Sequence, residues 1–530
     1  MLSVSGFIGG FGLLLLGLMQ SSGALRALGA APLHRYLLMQ NGSWHAALLA
    51  GLLSAPLRAS LAAAVVGTRH AGPGVSGLSA AMRLMAAAAL AATLAGWGFA
   101  VIGLDPSLSP VLLPVVAVGA LLMLSRRATW AQCGRLLAGL VLILLGTELL
   151  FGAMPSVAGY GTLDGLLVDN PLITTPLLIL LGFVLAGAVC SPVAIVAVSL
   201  AALSVDALSL LQAAALSIGC YAALVLPAIS ALGAAPGVSR RIAAGQVLLH
   251  GIALIIGLAC LYGLSLVDQH LVATGMDVLL VAAGFATMYW LLSLALVALV
   301  ARSLSMRSQR HIAEDQRPRL RPLEPTLYVV PAWALDAAVI VLRQTVADLY
   351  SLLARPLRQT GEASTKAIAS GRETLEAIEA YLERLGPVDM PEDARRMMRM
   401  RQALDHARSL CDDLEAVRRA QAIQDLVALQ RLAADLGVVL EQCAAGLVSD
   451  GGLPQPAYAA LEQNMQRLST VERGARPAIL EQVAGYQIGI DAALAQLAAQ
   501  RWLERVAVHA LRTAHHLREL SDGAHPSSTH

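Results

Sequence analysis

From Met1 to Arg302 the chain contains no lysine, eleven arginines and seven acidic residues. A folded surface in water needs charged and polar side chains, so a stretch this poor in charge excludes a soluble domain and requires lipid as its solvent. Cysteine is also sparse. Cys133, Cys190, Cys220, Cys260, Cys411 and Cys443 lie far apart with no CxxC or metal-ligand spacing, which argues against a zinc module or a disulfide framework and reads as reduced thiols. The start lacks a basic n-region and a clear cleavage site, so the first apolar run is expected to stay as a membrane helix rather than leave as a signal peptide. No nucleotide loop, catalytic triad or zinc motif occurs, so neither an enzyme nor a resident cofactor or metal is expected. The net charge of +2 divides into +4 before residue 303 and −2 after it, a balance that does not suggest nucleic acid as a partner.

What is there is apolar: 57% of the residues are hydrophobic, against a usual 45–50% in soluble domains. Runs long enough to cross or enter a bilayer fall at roughly 4–20, 44–66, 78–103, 108–124, 134–154, 172–203, 207–232, 243–266 and 277–301. Pro56 breaks the second run, and Gly187 and Pro192 break the sixth. Were all nine to cross, Arg26, Arg35, Arg69, Arg126, Arg127, Arg135, Arg240 and Arg241 would fall on both faces. If the second and sixth are re-entrant hairpins, these arginines share one face, which the positive-inside rule makes cytoplasmic. Asp105, Asp164, Asp169, Asp206 and Asp268 then share the other. Ordinary kinked helices are the simpler alternative and leave the arginine pattern unexplained.

An internal repeat accompanies the pattern. "LLLLGLM" around Gly17 recurs as "LILLGTE" around Gly146, and Asn41 recurs as Asn170, both 129 residues on. "GLLSAPLRASLAA" from Gly51 recurs as "GFVLAGAVCSPVA" from Gly182, 131 residues on. Three crossings separate the copies, so the second is inverted. Inverted repeats with broken helices meeting near the midplane are the architecture of secondary transporters.

At the paired hairpins the chain resembles the sodium/phosphate cotransporter family, over most of residues 5–300. The residues carrying the resemblance are Gly51, Ala55 and Ala59-Ser60-Leu61-Ala62 in the first copy, and Gly182, Ala186 and Cys190-Ser191-Pro192-Val193 in the second, with His250 further on. The family has a threonine at the Ala55 and Ala186 positions and Gln-Ser-Ser-Ser in each run; here the glycine and one serine per repeat remain. The resemblance implies an all-α polytopic membrane protein with inverted repeats (about 5–125 and 134–266) and two re-entrant hairpins within residues 1–302. It implies sodium-coupled uptake of inorganic phosphate or a similar oxyanion, a bacterial inner-membrane location, and leaves a homodimer open. A membrane receptor that binds the anion without moving it, or a transporter of another oxyanion, are the alternative readings.

The residues themselves point to similar chemistry. An oxyanion at membrane depth needs hydroxyls, free N–H groups at half-helix N-termini and a cation. Ser60 and Ser191 follow the hairpin breaks; packing as small residues is their plainer role. Asn41 and Asn170 open the hairpins as caps, and Cys190 stands beside Ser191. Arg58 suits an anion at a hairpin tip or snorkels to the interface. Glu148, in mid-segment, reads as an ion-pathway carboxylate or as a group near the interface.

After Arg302 the composition changes. Residues 303–330 form a basic, proline-containing linker set against anionic lipid, and 331–520 carry helical periodicity. Leu375, Ile378, Leu382 and Leu385 share a face, as do Leu404, Ala407, Leu410, Leu414 and Val417, and Leu429, Leu432, Leu436 and Leu440. Breaks are expected at Gly386-Pro387, at Gly451-Gly452 and near Pro477. A cytoplasmic helical bundle follows, similar to the PhoU-like domain found behind transporter domains of this family. Asp405, His406, Asp412 and Asp413 resemble that domain's acidic metal clusters, with a solvated helix face as the plainer reading. Residues 521–530 read as a disordered tail.

Overall fold

The structure is a computed structural model describing residues 2–38, 44–57, 59–70, 75–104, 109–158, 171–234, 237–273, 276–311, 320, 322–358, 364–386, 388, 390–416, 427–449 and 453–522. Among these, all regular structure is helical. The chain divides into two compact units, Met1–Gln316 and Arg317–His530.

The first unit contains α1 (Leu2–Leu38), α2 (Trp44–Ser54), α3 (Ser60–His70), α4 (Val75–Leu104), α5 (Ser109–Met123), α6 (Ala128–Ala158), α7 (Pro171–Ala188), α8 (Pro192–Leu203), α9 (Leu210–Ala222), α10 (Leu226–Ala234), α11 (Gly237–Ala273) and α12 (Val278–His311). A short 3-10 turn, Ala223–Val225, joins α9 to α10. Among the described residues of this unit, six stretches are long and apolar enough to cross a membrane: Val4–Ala30, Leu78–Ile102, Ala128–Ala158, Leu210–Gly233, Ser239–Val267 and Val278–Val297. Their outer faces carry large bare side chains, with Ile255 69% and Met19 65% exposed. An apolar surface of this extent requires a non-aqueous solvent, and the unit is a polytopic helical membrane protein. Its interior is built largely from alanine, with Ala194, Ala197, Ala201, Ala213 and Ala214 buried between helices. Small residues let backbones approach where no hydrophobic drive separates helix from lipid.

By contrast, α2 and α3, at 11 residues each, span only about 16 Å at 1.5 Å per residue, against a hydrocarbon core of roughly 30 Å. The sequence divides them correctly at Pro56, and divides α7 from α8 just before Pro192. One boundary differs from expectation. α12 runs on to His311, beyond the composition change at Arg302, because no proline or glycine interrupts the chain before Pro318.

The second unit contains α13 (Pro331–Arg358), α14 (Thr365–Leu385), α15 (Pro391–Glu415), α16 (Val427–Val448), α17 (Gln455–Ala484) and α18 (Ile490–Asp522). α13 also meets the length and apolarity of a membrane span. Here, however, α14, α15 and α16 pack around it and bury Trp333, Leu342, Tyr350 and Leu353. Its Asp336 pairs with Arg396 of α15. The central helix of a bundle needs the same apolarity as a span, and α13 is such a helix. The three periodic leucine faces turn inward, with Ile378, Leu410, Leu436 and Leu440 fully buried; Val417 lies outside the described residues. Tyr350 Oη donates to the Ala510 carbonyl (2.7 Å) and Trp502 Nε1 to the Asp413 carbonyl (2.8 Å), tying α13 and α15 to α18. Gly386 ends α14 at φ 72°, a conformation glycine adopts without a Cβ penalty. Pro477 does not break its helix: α17 continues through it and stops at Gly485. α18 extends to Asp522, and the tail beyond it lies outside the described residues.

Candidate functional site

α1 and α6 cross backbone to backbone. A Cβ on Gly10 would lie 2.8 Å from the Gly146 carbonyl oxygen, and one on Gly17 2.6 Å from that of Gly139. Rising numbers on α1 meet falling numbers on α6, so the helices are antiparallel. Gly10 and Gly139 are 129 residues apart, as are Gly17 and Gly146, and each glycine meets the other pair's member. This exchange of partners is the contact pattern of a two-fold axis.

The short helices are seated in matching ways. A Cβ on Gly51 of α2 would meet the Leu84 carbonyl at 2.4 Å and the Ala88 nitrogen at 3.0 Å, both on α4. A Cβ on Gly182 of α7 would meet the Leu216 carbonyl at 2.3 Å and the Cys220 nitrogen at 3.1 Å, both on α9. The turns close alike as well. Ala59 N–H donates to the Ser54 carbonyl (3.2 Å), and Ser191 N–H to the Ala186 carbonyl (3.0 Å). In both, the donor lies five residues after its acceptor, and corresponding residues are 132 apart. Ala59 thus matches Ser191, and Ser60 matches Pro192. The sequence alignment at 131 paired the two serines, because the single added residue between Gly182 and Ala186 shows only in the hydrogen bonds.

Contacts along α9 give the course of α7 and α8. Gly182 meets Leu216 and Cys220, and Gly187 meets Leu226 beyond the end of α9, so α7 runs alongside α9 in the same direction. Ser199 Oγ donates to the Ala213 carbonyl (3.4 Å), so α8 runs back. Between them Cys190 holds φ 53°, an uncommon conformation for a residue with a side chain. Ser191 is extended and buried, and its hydroxyl does not cap α8.

Both turns lead to the same part of the unit. Gly187 meets Leu226, while Leu61, just after Ser60, packs on Ala228, Ala231 and Ala243. At this place α11 contributes Gln246 and His250. Gln246 Nε2 donates to the Leu224 carbonyl (3.1 Å) within the 3-10 turn, and His250 Nδ1 is 2.8 Å from the Gln246 carbonyl. Gln246 Oε1 and His250 Nε2 are both buried without a hydrogen-bond partner. Such orphans are costly in an apolar interior and suit a site that receives a polar guest. His250 packs edge-on against Trp290, ring centroids 5.5 Å apart.

No family model, curated protein or solved structure matches this chain.

Of the residues singled out by sequence, Ser60 stands half-buried at the start of α3, and Cys190 and Ser191 form the second turn. Glu148 stands on α6 beside the glycine crossing, with Oε2 buried and without a hydrogen-bond partner. Asn41, Arg58 and Asn170 lie outside the described residues. Sequence reasoning missed Gln246 and Ser54, which is wholly buried and donates to the Gly51 carbonyl (3.0 Å). The available signal for Gln246 was its position as a lone amide in an apolar run, one helical turn before His250. Between α8 and α9, a cavity of about 10 Å³ is lined by Gly96, Ser199, Ser217, Tyr221 and Ala283, room for one water.

Proposed function

We propose that the first unit is a secondary transporter for an oxyanion of the inorganic phosphate type, coupled to sodium, and that α2–α3 and α7–α8 are inverted re-entrant hairpins of two repeats. The single observation that carries this reading is the matched closure of the two turns, both directed at the α9–α10 break. A chain interrupted at membrane depth has unpaired peptide groups, tolerated only inside protein or beside water. Transporters use such groups to hold substrate and ion. The N-termini of α3 and α8 present N–H groups and a positive dipole end to an anion, with Ser60, Cys190 and Ser191 at hand. Carbonyls freed at the breaks suit sodium. The bilayer is that of a bacterial inner membrane, and the second unit, a helical bundle of PhoU-like composition, regulates the first from the cytoplasm.

The test is radioactive phosphate uptake into proteoliposomes with and without a sodium gradient. Sodium-dependent uptake, reduced at least about tenfold in Ser60→Ala/Ser191→Ala, is expected. Uptake indifferent both to sodium and to the double variant would overturn the assignment. A second reading, a receptor that binds the anion without moving it, draws on the narrow cavity and on the alanine and leucine that fill the first turn. Saturable phosphate binding with no uptake would favour it.

A further inference from the structure

In the second unit α15 and α18 pack antiparallel along a polar seam. Asp413 accepts from Arg505 Nη2 (3.0 Å) at one end, and Arg399 Nε lies 3.0 Å from Glu519 Oε2 at the other. Between these pairs stand four histidines. His406 Nδ1 is 3.3 Å from His509 Nδ1, the His406 and His516 rings are stacked at 5.9 Å, and His515 and His516 meet edge-on at 5.4 Å.

The geometry points to a binding site for one divalent transition metal ion of the zinc type, held by His515, His516 and Glu519. His515 Nε2 lies 3.7 Å from Glu519 Oε1, and His516 Nδ1 lies 4.0 Å from Glu519 Oε2. Both gaps are too long for hydrogen bonds. Both are short enough for one ion to span, since bonds of about 2.0–2.2 Å place two ligands at most about 4.3 Å apart. One ligand atom from each of the three residues lies within 4.8 Å of the others, and a small rotation of the exposed His515 ring closes the widest gap. His515 and Glu519 are four residues apart, hence on one helix face. His516 Nδ1 is buried without a hydrogen-bond partner, leaving its lone pair available. Arg399 orients the carboxylate and the stacked His406 holds the His516 ring, the second layer that such sites need. Imidazole with one carboxylate favours zinc-like ions over magnesium or calcium, which take oxygen. This site is separate from the acidic run Asp405–Asp413 that the sequence brings to notice.

The test uses the full-length chain in detergent, without a polyhistidine tag and stripped with chelator. Titration with zinc, followed by calorimetry and by thermal shift, is expected to give one site per chain and a raised midpoint. His515→Ala is expected to weaken binding at least about tenfold, and His515→Ala/His516→Ala to abolish it. Cobalt substitution is expected to give a visible d–d spectrum that the double variant lacks. Glu519→Gln also loses the Arg399 pair, so its result counts only where circular dichroism shows a native melt; His515, exposed, is the variant that does not depend on this. No zinc binding by the native chain, or unchanged binding by the double variant, would overturn the site.

Discussion

The α1–α6 crossing and the α15–α18 seam are both antiparallel helix pairs, and they are built by opposite means. In the first unit, four glycines bring backbones so close that a Cβ would sit 2.5–2.8 Å from a backbone atom of the facing helix. In the second, side chains fill the seam, with Trp502 at 0% exposure, ion pairs at both ends and histidines between. The solvent explains the contrast. Against lipid, burying apolar surface gains nothing, so contact area comes from close approach. Against water, apolar burial drives packing, and long charged side chains can sit at the rim with their heads hydrated.

Several substitutions would break or sharpen that contrast. Gly146→Leu should have the largest effect: the new side chain meets the Leu14 nitrogen at 2.5 Å and the Gly10 carbonyl at 2.7 Å, and neither backbone can yield. Loss of monodisperse protein in size-exclusion chromatography is expected, whereas the same change at Gly152, where a Cβ meets nothing within 4 Å, should be tolerated. Trp502→Ala removes a fully buried ring and its bond to Asp413, with an expected cost of about 3–5 kcal/mol read by hydrogen exchange in α15 and α18.

Acidity should discriminate next. His406, His509 and His516 have lowered values in the folded seam. Below about pH 6.5 the unfolded chain therefore takes up protons that the folded chain resists. Stability of the second unit should be full above that pH and fall as acid is added, in chelator, and His406→Gln/His509→Gln should flatten the dependence. Burial is the leading cause of each shift, so salt should change the profile little. The smallest effect belongs to Arg372→Ala. Arg372 pairs with Asp412 and Glu415 on an exposed face, and such pairs contribute at most about 1 kcal/mol. A midpoint shift larger than that of Trp502→Ala would reverse the ordering drawn here.

Much of this arrangement is legible in the sequence. The charge-poor first part, the helix breaks at Pro56 and before Pro192, and the inward leucine faces at Ile378, Leu410 and Leu436 follow from composition and period. Other features escape it, for different reasons. Pro477 lies inside α17, because packing of one long helix outweighs a local preference. The turn register of 132 differs from the 131 of the aligned letters, since hydrogen bonds and not residue types define the match. The meeting of His406 with His509 and His516, and of Gln246 with Leu224, depends on where separate helices cross.

By itself, then, the sequence determined the solvent of each part and the helix breaks at Pro56 and before Pro192, because solvation and the proline effect on a helix are local properties of residue type. Tertiary structure alone decided which backbones touch and which polar atoms are buried without a hydrogen-bond partner. Those outcomes depend on crossing point and rotation between helices tens of residues apart, quantities that no local pattern encodes.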